Sequence, residues 1–495
     1  MAFSGTDPND ITPKTGENED PGAARPHDAD TVGAALSSGA LGAAGDTFRR
    51  SYHQELAAGT QRFLNSIAGH SIDELKGIKD ALVVRMHGRL LDLAREGFGL
   101  IVQDGACPGA ITNALTRMNG AGQYLRGGVT VVSADARLVF GDSGNEKTSF
   151  HSIATGERMK FLTGALREIN DLPGTTILGV NGSVESGRVT VYISDREQQG
   201  TIGQFYFAPI PRHDSIRSWR GGQISAAIAG LHFLEGWLDR VGPNERIVHI
   251  HSAELLLLDR PRASEEHERA IRSIKDMNDR HFRHLRDVVR NGDHSGFIFG
   301  ESFTGGAINS LFQSVPRMAR YVDYAVVWYH ERFKEVFGVD RSYLHTQRIA
   351  SPGTVREAAF GLLDNPPSIL PASSKRGIIG TRDSHTAVTT SGWASLDAPG
   401  VADNFSVCVR SLWGGQVRTY TAQLDVESSR VLPPSYARKE ITKQLGVATA
   451  LYLIGRVLGD LDPTVSASFK RSNEGLRRFI HSQAGGPLKI ICESN

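Results

Sequence analysis

The 495-residue chain matches itself at a fixed offset of 197 residues, and this repeat limits the fold more than any other feature of the sequence. With no gap, Gly99, Ile101, Gly109, Ala110, Ile111, Tyr124, Val129, Val139, Phe140 and Gly141 fall on Gly296, Ile298, Gly306, Ala307, Ile308, Tyr321, Val326, Val336, Phe337 and Gly338. Beyond that stretch, Ile153-Ala154-Thr155 leads into a helix as Ile349-Ala350-Ser351 does, and Gly179-Val180-Asn181-Gly182 has a looser echo in Thr390-Ser391-Gly392. Two copies of one domain are the simplest reading, and the length, which exceeds what a single core usually fills, agrees with it. The expected organisation is a disordered tail over residues 1–45, a first copy over 46–245, a structured connection over 246–262 and a second copy over 263–495.

The richest local motif lies in the second copy. Gly296-Phe297-Ile298-Phe299 reads as a short buried strand, while Ala307, Ile308, Leu311 and Phe312 recur at helical spacing. Between them, Glu301-Ser302-Phe303-Thr304-Gly305-Gly306 places a hydroxyl and two glycines where strand turns into helix. The first N–H groups of a helix have no intrahelical partner, and glycines let a ligand approach them. Such a loop can activate a nucleophile and hold an oxyanion. The same residue types are also ordinary helix-capping vocabulary, so the hexapeptide alone does not decide between the two.

The second copy resembles the carboxy-terminal, amide-hydrolysing domain of the CinA family, whose best-known members are nicotinamide mononucleotide deamidases. Family members carry an E-S-C-T-G-G loop, here Glu301 to Gly306 with Phe303 in the Cys place, and a Y-S-N-E-A-K-like segment, here Tyr329-His330-Glu331-Arg332-Phe333-Lys334. The family's A-V-S-E helix start is similar to Ile349-Ala350-Ser351-Pro352, and its G-T-V-Y-I strand to Phe405-Ser406-Val407-Cys408-Val409. The first copy keeps that strand better, as Val189-Thr190-Val191-Tyr192-Ile193, and has the R-G-G-V strand entry as Arg126-Gly127-Gly128-Val129. The resemblance covers most of residues 80–240 and 270–460.

The resemblance implies two tandem three-layer α/β/α domains, helices on both faces of a mixed sheet, forming an internal pseudo-dimer. It also implies roles for particular residues. Ser302 attacks a carboxamide carbon, Lys334 takes its proton if burial lowers the lysine pKa, and the Thr304, Gly305 and Gly306 backbone N–H groups receive the oxyanion. Tyr329 orients the substrate or the lysine, and Glu301 belongs to the substrate-binding loop. In the first copy, Asp104-Gly105-Ala106-Cys107-Pro108-Gly109 puts glycine at the serine position, and Arg137 stands in place of Lys334. An always-charged guanidinium cannot serve as a base. The first copy is expected to be a structural or substrate-completing partner, with Arg217 near the family's G-D-R arginine as its contribution to substrate binding. Pro433-Pro434 occupy that place in the second copy, with Arg430 and Arg438 as imperfect substitutes.

Composition bounds the partners. Lys and Arg number 55 against 54 Asp and Glu, so no net field argues for nucleic acid or a membrane surface, and a small-molecule substrate is expected. Three cysteines, Cys107, Cys408 and Cys492, are too few for a disulfide scaffold and fit a reducing compartment; a cytoplasmic protein is expected. No apolar run approaches bilayer length. His249 and His251 alternate on a strand-like segment near Glu254, but no third ligand follows at a diagnostic spacing, so no metal is expected; Gly127-Gly128 and the Gly179, Gly182 pair lack the G-x-G-x-x-G spacing, so no nucleotide cofactor is expected.

The expected activity is cleavage of a C–N bond in a small polar metabolite by Ser/Lys acyl transfer, resembling nicotinamide mononucleotide deamidation. CinA-like chains of this doubled length also resemble the opine enzymes of crown-gall biology, which make, break or cyclise mannopine-type sugar–glutamine conjugates. A binding or regulatory protein that has kept the fold and lost the reaction is the alternative from another class.

Overall fold

The computed structural model describes residues 51–131, 174–194, 200–208, 216–241, 265–292, 296–315, 317–336, 339–346, 351–363, 384–393, 403–426, 436–485 and 488–493. The 1–45 tail, the 246–262 connection with His249, His251 and Glu254, and Arg137 and Arg430 lie outside these residues.

Eleven strands form one mixed sheet. In chain order they are β1 Gly99–Asp104, β2 Leu125–Val131, β3 Thr175–Ser183, β4 Arg188–Ser194, β5 Gly200–Tyr206, β6 Phe297–Glu301, β7 Val322–Trp328, β8 Ser384–Trp393, β9 Asp403–Trp413, β10 Gln416–Val426 and β11 Leu488–Glu493. The spatial order is β11-β10-β9-β8-β6-β7-β2-β1-β3-β4-β5. Each half therefore repeats one pattern: the first strand is parallel to both of its neighbours, and antiparallel strands continue outward. The second half adds β11 at its edge.

The halves meet through β2 and β7, which pair antiparallel with Val129 opposite Val326, Gly127 opposite Trp328 and Val131 opposite Tyr324. Val129 and Val326 are 197 residues apart, so this register places a residue against its own counterpart, as a two-fold axis does. A second such pair lies close by. A Cβ on Gly109 would sit 2.5 Å from the carbonyl oxygen of Gly306, its counterpart, and both residues have positive φ (69° and 90°). Only glycine permits both that backbone and that approach.

The helices used below are α1 Ile72–Arg95, α2 Ala110–Leu115, α3 Ile216–Val241, α4 Glu265–Asn291, α5 Ala307–Gln313, α6 Glu331–Val336, α7 Pro352–Leu363, α8 Tyr436–Leu461 and α9 Ala467–Ala484. Apolar spacing explains them: Leu82, Met86, Leu90 and Leu93 bury one face of α1, and a Ser71–Glu74 capping box fixes its start. In the second half the sheet is covered on both faces. Phe297 and Phe299 point into a core with Phe282, Phe312, Leu451 and Phe469 from α4, α5, α8 and α9. Ile298, between them, points to the opposite core, with Val355 and Leu362 of α7. That alternation is the strand's two-residue period sorting side chains between layers. No described helix is long and apolar enough to cross a membrane.

Candidate functional site

The parallel strands β6, β7 and β8 end side by side, and a crevice beyond the carboxyl ends of such strands is where α/β sheets place ligands. Ser302 follows β6 and remains tied to β8, its N–H donating to the Thr390 carbonyl at 3.1 Å. Thr390 Oγ1 lies 3.2 Å from the same N–H and 2.7 Å from Thr304 Oγ1. Ser302 is 8% exposed, and its Oγ makes no hydrogen bond with a described residue.

Thr390 also lines a small pocket, of about 10 Å³, together with Lys334, Trp328, Thr354, Val355 and Ser391. Lys334, on α6 just beyond β7, is 3% exposed, and its Nζ makes no ion pair with a described carboxylate. Burial pushes its pKa from 10.5 down to about 8, opposed only by the charge of Glu331. Thr390 thus joins the two groups that the sequence singled out, contacting the Ser302 loop on one side and sharing the Lys334 cleft on the other.

Other expected site residues have different surroundings. Glu301 is fully buried and faces the start of α5: Oε2 accepts the N–H groups of Gly306 and Ile308, each at 3.1 Å, and Oε1 accepts that of Asn309 at 2.8 Å. Burial raises its pKa against the pull of those bonds. Glu301 therefore caps the helix and does not face a substrate. The same geometry corrects the oxyanion assignment for Gly305 and Gly306, because Gly305 donates to the Ser302 carbonyl at 3.0 Å and Gly306 to Glu301. The Phe303 and Thr304 amides are the remaining candidate donors in the loop. The Thr304 side chain is buried against Thr390, and Phe303 stacks on Phe405 with ring centroids 4.7 Å apart.

Tyr329 turns toward the first half, where its hydroxyl donates to the Thr116 carbonyl at 3.4 Å and its ring lies over Gly122. Arg217 lies in the first turn of α3, and its side chain is outside the described residues. The residues that sequence reasoning passed over are Thr390, Ser391, Thr354 and Trp328. The only signal for Thr390 and Ser391 was their weak echo of the glycine-rich segment in the first copy.

The first half's counterpart of this loop is closed. A Cβ on Gly105, the position equivalent to Ser302, would lie 2.0 Å from Asn181 Oδ1. Asp104 caps α2 as Glu301 caps α5, through the Thr112 N–H and hydroxyl, and burial raises its pKa to about 6. Cys107 is buried, and its thiol pKa is pushed up by burial and by Asp104. No group of three or more metal-ligating side chains occurs among the described residues.

The fold is that of a mixed α/β protein whose second half holds a small pocket lined by Lys334 and Thr390, with the Ser302 loop on the other side of Thr390. Residues 291–387, which hold Ser302, Tyr329 and Lys334, match the family model of the CinA C-terminal domain. Similar solved structures include the competence/damage inducible protein CihA from Agrobacterium tumefaciens, 15% identical over 33% of this chain and 96% of that one, with a TM-score of 0.27. The competence damage-inducible protein A (ComA) from Klebsiella pneumoniae is 14% identical over 35% and 99% of the two chains, with a TM-score of 0.27. A competence-damaged protein (CinA) superfamily member from Enterobacter cloacae is 17% identical over 36% and 92%, with a TM-score of 0.25. No curated protein matches the sequence.

Proposed function

We propose that the chain is a CinA-like acyl-transfer enzyme that cleaves the carboxamide C–N bond of a small polar metabolite. In this reading the second half carries the chemistry, and the first half is a diverged copy that completes an internal pseudo-dimer. The observation that carries the proposal is Lys334, a buried lysine that makes no ion pair with a described carboxylate and lines the same pocket as Thr390. Charging a lysine there is costly, and groups held at such a cost with their pKa moved toward neutrality concentrate at reactive sites.

The steps follow from these groups. Neutral Lys334 takes the Ser302 hydroxyl proton as Oγ bonds to the carboxamide carbon, and the carbonyl oxygen becomes an oxyanion within reach of the Phe303 and Thr304 amides. When the C–N bond breaks, the lysine proton goes to the departing nitrogen, which leaves as ammonia. Water, or a hydroxyl of the substrate, then attacks the acyl-enzyme while Lys334 again accepts a proton, and Ser302 is regenerated. Attack by a substrate hydroxyl would give a cyclised product, as an opine-type sugar–glutamine conjugate allows.

The engaged Gly305 and Gly306 amides favour a second reading, a binding protein that has kept the fold without the reaction. Incubating the full chain with nicotinamide mononucleotide and with mannopine, while following ammonia and product mass, separates the readings. Ammonia release that Ser302→Ala abolishes supports the enzyme. Saturable binding without ammonia release from either compound supports the binding protein.

A further inference from the structure

We propose that the seam around Lys439 is a binding site for an oxyanion, a carboxylate or phosphate group on a small molecule, with Tyr329 and His87 at its rim.

The two seams of the molecule are asymmetric. Helices α3 and α8 occupy corresponding places in the two halves and both run for 26 residues, so Trp219, Arg220 and Gln223 of α3 correspond to Lys439, Glu440 and Lys443 of α8. At one seam, Trp219 Nε1 and Gln223 Nε2 both donate to the Gln313 carbonyl, at 3.1 and 2.9 Å, and the place is filled by an indole and an amide. At the other, Lys439 Nζ donates to the Met118 carbonyl at 2.8 Å, and Lys443 Nζ bonds Asn113 Oδ1 at 2.7 Å and Thr116 Oγ1 at 2.6 Å. Where one seam has an indole and an amide, the other has two lysines, and burial lowers the pKa of both.

The carboxylates at this seam are already engaged. Glu440 pairs with Arg117 at 3.0 Å and Lys275 at 2.6 Å, and Asp80 pairs with Arg117 at 3.2 Å and Lys79 at 3.4 Å. Glu301 is bound to the start of α5. Neither Lys439 nor Lys443 makes an ion pair with a described carboxylate. Lys443 satisfies its donors with oxygens of the first half, whereas among the described residues Lys439 has a single acceptor, the Met118 carbonyl, for a three-donor ammonium. Burial alone lowers the Lys439 pKa to about 8, and an arriving anion would offset that cost.

Solvent reaches this place. Lys439, Met118, Tyr329 and His87 are half-buried, and Asn119 and Gly122 are exposed. Tyr329 donates to the Thr116 carbonyl, two residues from the carbonyl that Lys439 uses, and His87 Nδ1 lies 3.1 Å from the hydroxyl of the buried Tyr124. A Cβ on Gly305 would lie 2.1 Å from Thr116 Oγ1, the atom that Lys443 bonds, so the seam meets the Ser302 loop. If that reading holds, the oxyanion is a second handle on the substrate, held partly by the first half.

Isothermal titration of the full chain with inorganic phosphate, and separately with acetate, tests the site without needing turnover. Saturable binding of either is expected, and its preference identifies the group. Lys439→Met should weaken that binding at least about tenfold, the loss of one charge-assisted hydrogen bond, while Lys439→Arg largely keeps it. Lys439→Trp, which installs the residue of the opposite seam, should abolish binding with the fold intact and covers the case of a misfolded Met variant. Lys334→Met should bind phosphate like the wild type, so loss of the catalytic reading and loss of this site are read separately. Absence of saturable binding to about 10 mM, or wild-type binding in both Lys439→Met and Lys439→Trp, would overturn the proposal.

Discussion

Replacing Lys334 with methionine should make the folded protein more stable at neutral pH while abolishing turnover. In the folded chain burial holds the Nζ pKa at about 8 instead of 10.5, and one unit corresponds to about 1.4 kcal/mol, so keeping the lysine costs about 3 kcal/mol. The sign follows from proton binding. Between pH 8 and 10.5 the unfolded lysine holds a proton that the folded one has lost, so this group adds stability as pH rises through that window and penalises folding below it. Methionine has a similar aliphatic stem to lay against Trp328, Val355 and Ala358 and carries no charge. The gain at pH 7 should be about 1–3 kcal/mol after allowing for the space left by Nζ, and it should shrink by about 2 kcal/mol on going to pH 10. Urea unfolding of both proteins at pH 7 and pH 10 measures this as a double difference in which the other titrating groups cancel. A variant less stable than wild type at pH 7, with a gap indifferent to pH, would refute the reasoning.

Ser302→Ala should eliminate ammonia release with a change of under about 1 kcal/mol in stability, since Oγ bonds no described residue; retained turnover would remove Ser302 as nucleophile. The kcat/KM profile of the wild type should rise with an apparent pKa of about 8 and lose that limb in Lys334→Arg, whose guanidinium stays charged; a flat wild-type profile excludes lysine as the base. Glu301→Gln should cost about 1–3 kcal/mol by turning an amide donor toward the α5 N–H groups, detected as a lower urea midpoint. Gly105→Ser should confer no nucleophile on the first half and should cost about 1–3 kcal/mol, relieved by Asn181→Ala, because the new Cβ meets the Asn181 amide; extra activity in the single variant would contradict the closed site. Asp104→Asn should look progressively more destabilising as pH falls from 7 to 4, because the wild-type carboxyl, with its folded pKa raised to about 6, gains stability as it protonates.

The strand-loop-helix motif was legible in the sequence because it rests on local order. A fixed offset survives divergence wherever glycines and core residues are held by geometry, as at Gly109 and Gly306, and apolar spacing marks β6, α4, α8 and α9 directly. The charged, apolar-spaced segment Glu265–Asn291 forms one long helix, and the apolar Leu488-Lys489-Ile490-Ile491 starts β11. What pattern could not supply was direction. Whether Glu301 faces a ligand or its own helix depends on a strand-to-helix turn of a few residues, and both answers fit the same hexapeptide. Thr390 and Ser391 were nearly invisible because a threonine at the end of a strand carries no periodic signal; they matter only through the parallel pairing of β8 with β6, a non-local contact.

The same pairing logic bears on why a half without a serine persists in the chain. β7 has β6 on one side and β2 on the other, so without the first half it becomes the edge of a parallel strand cluster, with Val322 to Trp328 all buried in the native sheet. An exposed, apolar edge of that kind is a template for aggregation. The Gly109–Gly306 contact and the bonds from Asn113 and Thr116 to Lys443 add to what the first half supplies, and all of them lie beside the Ser302 loop. Loss of a nucleophile at Gly105 removes none of these contacts. Under the proposed function, these contacts give the first half a scaffold's role beside the Ser302 loop that needs no nucleophile at Gly105.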